Sequence, residues 1–188
     1  MSIVINEDNL QLPEIEEHKT KVRAFLVDSN DNVLVANYGD VFLLPGGSVD
    51  EGENLESATI RELHEETGAD YSSEDLDYLD VVEYYQKDYP KREGTTQNRL
   101  VKTHYYVAGY KGLTRDNQTL TEKEQKDNFR LELIPLRELE ERILSSKSNN
   151  PRSNYFAKEL LAILEAYRKK YSHSVKKRTT NNSQVIVW

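Results

Sequence analysis

The sequence predicts an α+β fold built on a mixed or antiparallel β-sheet. Three observations carry that prediction. β-rich segments lie on both sides of one central helical segment, two further helical segments close the chain, and no strand–helix–strand unit repeats along it. Repeated alternation is what a doubly wound parallel sheet would require. At 188 residues the chain has the length of one domain with room for an arm and a tail.

The elements follow in order. Residues 1–19 are acidic and weakly patterned, as an arm or one edge strand would be. Residues 20–27 (TKVRAFLV) and 33–36 (VLVA) are β-rich, and Ser29, Asn30, Asp31 and Asn32 between them form a turn cluster. Together they read as a hairpin. The apolar run 41–44 (VFLL) is stopped by Pro45, Gly46 and Gly47. A helix comes next: Asn54 can cap its N-terminus, Glu56 suits its first turn, and Gly68 sits where a left-handed residue ends helices.

Residues 79–85 and 100–108, rich in Val and Tyr, read as strands. Residues 113–128 form a long polar loop, and 129–134 alternate as a strand. Pro135 suits the first turn of a short helix ending at Leu144. After a linker over 145–154, a helix over 155–171 places Phe156, Leu160, Ile163, Leu164, Tyr167 and Tyr171 on one apolar face. That face must be covered, by the sheet or by a second copy in a homodimer. Residues 172–188 hold Lys176, Lys177 and Arg178 and no acid, and read as a flexible basic tail outside a single domain over 20–171.

Composition excludes several function classes. Lys and Arg number 25 against 33 Asp and Glu, a formal charge of −8. Phosphate backbones attract basic surfaces, so nucleic acid is not an expected partner. With no cysteine the chain has no disulfide, no Cys-ligated zinc and no thiol nucleophile. No run approaches the ~18 apolar residues of a membrane span, and the acidic start lacks the order of a signal peptide. A cytoplasmic protein with no membrane partner is expected.

The chemistry concentrates in residues 47–69, GSVDEGENLESATIRELHEETGA. On the expected helix Glu62, Glu65 and Glu66 stand at i, i+3 and i+4, so their carboxylates share one face while Ile60, Leu63 and Thr67 lie on another. Like charges at these spacings repel, and a bound divalent cation reverses the sign. Oxygen donors without His or Cys favour Mg²⁺ or Mn²⁺ over zinc. A glutamate triplet by itself is most simply a solvated acidic face. The four histidines, His18, His64, His104 and His173, show no metal-ligand spacing.

The whole segment resembles the Nudix box, Gly-x5-Glu-x7-Arg-Glu-U-x-Glu-Glu-x-Gly-U with U a bulky aliphatic residue. Gly47, Glu53, Arg61, Glu62, Leu63, Glu65, Glu66 and Gly68 meet the pattern, and Ala69 is a small member of the last class. A chance match in a chain this long has a probability on the order of 10⁻⁷. The element order from about residue 20 to 143 also looks like a Nudix domain.

The resemblance implies a Nudix-type α/β/α sandwich with a mixed sheet. It also implies hydrolysis of a nucleoside diphosphate linked to another group X, giving a nucleoside monophosphate and phosphate-X with Mg²⁺ or Mn²⁺ as cofactor. Glu65 and Glu66 match the principal metal ligands, Glu62 the carboxylate beside them that binds metal or handles the attacking water, and the Gly46 carbonyl a further ligand. Arg61 and Glu53 match a structural ion pair. The family takes its general base either from the box or from a distant loop, where Glu122 and Glu124 are the candidates here. Arg23 matches a strand position that contacts substrate phosphate. Tyr84 and Tyr85 resemble a Tyr of the dinucleoside polyphosphate hydrolases; one of the two must face the core, because strand residues alternate, and Tyr85 is taken as the candidate substrate contact. The substrate, a small nucleotide, stays open among ordinary or oxidised nucleoside triphosphates, dinucleoside polyphosphates and nucleotide sugars. The alternative is an inactive Nudix domain that senses a nucleotide ligand or serves as an interaction module.

Overall fold

A computed structural model describes residues 2–37, 41–91, 93–121, 129–145 and 151–181. Its strands are β1 (Ile3–Ile5), β2 (Glu17–Val27), β3 (Asn32–Asn37), β4 (Phe42–Leu43), β5 (Asp77–Pro90), β6 (Thr96–Gly109) and β7 (Arg130–Pro135). Its helices are α1 (Leu55–Thr67), α2 (Leu136–Ser145) and α3 (Pro151–Asn181). The sheet order is β1-β5-β6-β2-β3-β4, with β7 also paired to β3. β1–β5 and β2–β6 are parallel and the other pairs antiparallel, so the sheet is mixed as expected.

The sheet lies between two apolar layers. Val22, Ala24 and Leu26 of β2 face α1, where Ala58 and Leu63 meet them. Phe25 faces α3, with Val82, Tyr84, Tyr105, Leu160, Ile163 and Leu164 around it. Burial on both faces explains why β2 and β3 read as continuous apolar runs. The apolar stripe of the last helix is thus covered by the protein's own sheet.

The expected hairpin over 20–36 forms only at its turn. Asp28 Oδ1 accepts from the amides of Asn30 and Asn32, each at 2.8 Å, but β2 and β3 pair only at Val27 and Val33. Beyond that point they splay: β3 takes β7 and β4 as partners, and residues 45–49 lie along the free edge of β2. The turn chemistry is local and legible, whereas the strand's partner is set by tertiary packing.

Strands β5 and β6 run past the expected ends. Polar residues extend them, and a register shift between Gln86 and Tyr89 absorbs the positive φ of Asp88. Pro135 ends β7 and does not open α2; the next amide, of Leu136, donates to Asp31 at 2.9 Å. The last helix starts at Pro151, earlier than expected, with the proline at a position that needs no amide donor. Its backbone continues past Tyr171 to Asn181. Among the described residues no helix is long and apolar enough to cross a membrane.

Candidate active site

Helix α1 carries the acidic triplet. The Asn54 side chain accepts from the Ser57 amide at 2.9 Å, capping the N-terminus. Gly68, at φ 70°, ends the helix in the left-handed conformation. The polar segment that follows β6 satisfies the carbonyls left over at that end: Thr119 N donates to Glu65 O at 2.9 Å and Thr114 N to Thr67 O at 2.9 Å.

The loop before the helix is zipped onto the edge of β2. Ala24 N donates to Pro45 O at 2.9 Å, Val22 N to Gly47 O at 3.0 Å, and Val49 N to Thr20 O at 3.1 Å. Between these bonds Gly46 adopts φ 132°, and a Cβ there would lie 2.2 Å from the Val22 carbonyl oxygen. Only glycine fits. Its amide donates to Glu66 Oε2 at 3.0 Å, and Glu66 is 2% exposed. A Cβ on Gly47 would lie 2.4 Å from both carboxylate oxygens of Glu62. Two of the three glutamates are therefore seated directly against the glycine pair.

Arg61 organises the remaining charge. Its Nε and Nη2 grip Glu53 Oε1 and Oε2 at 3.0 and 2.9 Å, a bidentate pair. Nη2 also donates to Ser48 O at 3.0 Å, and Nη1 reaches Glu62 at 2.9 Å and Glu65 at 3.4 Å. The Arg61 hydrogen bonds hold the Glu53 carboxyl below its ordinary pKa. Glu62 moves the other way: burial raises its pKa, and the Arg61 contact only partly opposes this.

Among the described residues, no three acidic or histidine side chains converge on one metal-sized point. Glu62 and Glu65 lean on Arg61, and Glu66 leans on the Gly46 amide. The donor set still fits a hard divalent cation. It is all oxygen, Glu62 is a desolvated carboxylate, and the absence of a side chain at Gly47 leaves the cradle that this carboxylate fills.

The family model described as NUDIX domain matches residues 17–158, three quarters of the chain and all of this geometry. The chain belongs to the Nudix family. A curated relative, Nudix hydrolase 2 of Arabidopsis thaliana, is 32% identical over 73 residues, 35% of this chain; the match spans 26% of that protein. The solved MutT protein of Methanosarcina mazei Go1 aligns with TM-score 0.51 at 18% identity, covering 83% of this chain and 98% of that one. The NUDIX domain of Shewanella oneidensis NrtR, solved with ADP ribose, aligns with TM-score 0.53 at 19% identity, covering 86% and 94%. At these identities the two structures show a shared fold.

The other expected residues of the Nudix domain fall in separate places. Arg23 is 5% exposed, and its Nη1 donates to the carbonyls of Leu44 at 2.5 Å and Gly46 at 3.3 Å, so it braces the loop that enters the Nudix box. Tyr84 faces the core beneath α3, and Tyr85, the next residue on a regular stretch of β5, faces the opposite side of the sheet. Arg23 lies on the same side as Tyr84, in register with the core residue Tyr105. The structure therefore does not bring Arg23 and Tyr85 together. Glu122 and Glu124 lie outside the described residues. His64 is a surface residue of α1, 3.1 Å from Asp70.

Sequence reasoning missed a second group of charges. Lys21 lies on the same side of β2 as Arg23, and on that side the buried Glu159 of α3 accepts from the Tyr105 hydroxyl at 2.8 Å. The signals were present. Lys21 and Arg23 alternate on one face of β2, Arg23 within its apolar half, and Glu159 falls inside the apolar stripe of its helix, three residues after Phe156 and four before Ile163.

Proposed function

We propose that this chain is a Mg²⁺-dependent nucleotide pyrophosphohydrolase. It would split a nucleoside diphosphate linked to a further group X into a nucleoside monophosphate and phosphate-X. The observation that supports this most directly is the seating of Glu62 and Glu66 against Gly47 and Gly46, which puts two carboxylates of the box beside a backbone loop. Glu62, Glu65, Glu66 and the Gly46 carbonyl would hold the ion, with Mn²⁺ as a substitute. A divalent cation supplies charge neutralisation of the pyrophosphate and a more acidic water.

The chain's own residues do the positioning. Arg61, through Glu53 and Ser48, ties the helix to the loop and sets the spacing of the carboxylates. Arg23 holds the Leu44 and Gly46 carbonyls from the other side of the strand. Glu62, whose proton affinity burial has raised, is suited to accept the proton of the attacking water. Glu122 or Glu124 is the alternative acceptor. In-line attack by water needs no covalent intermediate.

The test is a panel of nucleotides with Mg²⁺, its products separated by chromatography. The panel holds nucleoside triphosphates, an oxidised guanine triphosphate, dinucleoside polyphosphates, nucleotide sugars and ADP-ribose, the last because the Shewanella NUDIX domain was solved with it. Release of a nucleoside monophosphate that stops in EDTA supports the reading. Binding without turnover in any metal would overturn it and favour a ligand sensor.

A further inference from the structure

Glu65 and Glu66 sit in the last turn of α1, the least secure place on a helix. The final carbonyls of a helix have no partner within it, and helix ends fray. Acidic side chains there also oppose the helix dipole, whose negative pole lies at that end. Two carboxylates that must keep a fixed spacing therefore need this turn to be held from outside.

The segment after β6 does so. Four consecutive carbonyls receive its donors. Thr119 N donates to Glu65 O and Thr114 N to Thr67 O, each at 2.9 Å. The Gln118 side chain donates from Nε2 to Glu66 O at 2.5 Å, and Asn117 Nδ2 donates to Gly68 O at 3.4 Å. The segment is itself tied down. Asn117 N closes a tight turn on Thr114 O at 2.9 Å, and Lys111 Nζ reaches Asp75 Oδ2 at 2.8 Å and the Asp70 carbonyl at 3.0 Å.

Two details separate this arrangement from an ordinary helix end. The φ of 70° at Gly68 is one that Asn also adopts. Yet a Cβ at Gly68 would lie 2.1 Å from the Thr114 carbonyl oxygen and 3.1 Å from Asn117 Cβ. The approach of the segment, and not the turn alone, requires glycine. Gln118, half-buried, spends a side-chain donor on the backbone of Glu66, whose own carboxylate takes the Gly46 amide. Glu66 is thus held at both ends.

We propose that Gln118 is a positioning residue of the acidic site. With Gly68 as its seat, it clamps the last turn of α1 so that Glu65 and Glu66 present their carboxylates at a fixed spacing. The inference rests on the hydrolase reading for the cation that those carboxylates hold.

The experiment uses the full chain and Gln118→Met, Gly68→Ala and Gly68→Asn. Mn²⁺ affinity is measured by calorimetry without nucleotide, amide hydrogen exchange of the last turn without metal, and turnover of the nucleotide panel in Mg²⁺. Gln118→Met keeps the size of the side chain and removes the donor. It should quicken exchange in the last turn and weaken Mn²⁺ binding about tenfold or more. It should lower kcat by a similar factor with KM within about threefold. A merely structural glutamine would lower the thermal midpoint and leave the Mn²⁺ affinity and kcat of the folded protein unchanged. Gly68→Asn should lose as much Mn²⁺ affinity as Gly68→Ala, although Asn tolerates the left-handed backbone.

Wild-type Mn²⁺ affinity in Gln118→Met or in Gly68→Asn would overturn the clamp. Weaker Mn²⁺ binding in Gln118→Met, where the wild type turns over no nucleotide, would support the clamp and remove the hydrolase reading. Wild-type turnover with wild-type Mn²⁺ affinity in Gln118→Met would do the reverse, and a wild type that binds no Mn²⁺ overturns both.

Discussion

The Gly46 amide donates to Glu66 Oε2 at 3.0 Å, and this bond couples the loop on the edge of β2 to the helix that carries the acids. The Gly46 carbonyl and the Glu66 carboxylate are thereby fixed relative to each other. Glu66→Gln keeps an oxygen that can accept from Gly46 and removes a negative charge. The variant should fold with a near wild-type thermal midpoint and lose ~10²–10³-fold or more in kcat. Glu66→Ala should also lose about 1–3 kcal/mol of stability, because a buried amide is left without its acceptor. Glu122→Gln and Glu124→Gln, measured beside them, separate the base candidates: a loss of ~10²–10⁴-fold in either places the base in the loop, and none in both leaves it with Glu62.

Adjacent glycines should respond differently. Gly46→Ala forces a side chain into a positive φ and against the Val22 carbonyl, where backbone must move. A loss of roughly 1–3 kcal/mol or more in denaturant unfolding is expected, together with loss of activity. Gly47→Ala meets only the end of the Glu62 side chain, which can swing away. Its stability should stay close to wild type while kcat falls with the displaced carboxylate. Equal destabilisation of the two variants would show that Glu62 is not held in the cradle described.

Arg61→Lys tests the scaffold. The guanidinium makes two parallel bonds to Glu53 and single bonds to Ser48 O and Glu62, a set that an ammonium cannot reproduce. With the side chain 30% exposed the loss should be modest, about 1–2 kcal/mol. Activity should fall with it, because Glu62 and Glu65 lose the Nη1 bonds that hold both carboxylates. Urea unfolding and kcat measured on one preparation decide this. Lost activity at unchanged stability would make Arg61 a participant in the reaction instead of a strut.

How much was legible depended on whether the signal was local. The cap of α1 at Asn54, its end at Gly68 and the shared face of Glu62, Glu65 and Glu66 follow from short-range spacing, the Arg61–Glu53 pair follows from the resemblance, and the structure places them so. What was missed depended on partners distant in sequence. No local feature says that β3 leaves β2 for β7, that residues 45–49 become an edge of β2, or that Arg23 spends its donors on loop carbonyls. Tyr105 and Glu159 lie far apart in the chain and meet only when α3 crosses the sheet. A charge that breaks an apolar stripe was the visible trace of that contact.

Lys21 gives a pH prediction whose sign follows from its environment. Burial holds the folded-state pKa of Lys21 near 8, against about 10.5 when exposed. Below pH 8 both states carry the proton and the folded chain bears the desolvation penalty of a buried ammonium. Between about 8 and 10.5 the unfolded chain keeps the proton and the folded chain does not, so stability rises with pH across that window. Lys21→Met removes the titrating group. At pH 7 it should be more stable than wild type by about 1–3 kcal/mol. The advantage should shrink as pH rises from 8 towards 10.5. Denaturant midpoints of both proteins at pH 7, 9 and 10.5 measure this directly. A variant less stable than wild type at pH 7 would mean that the Lys21 ammonium stabilises the fold.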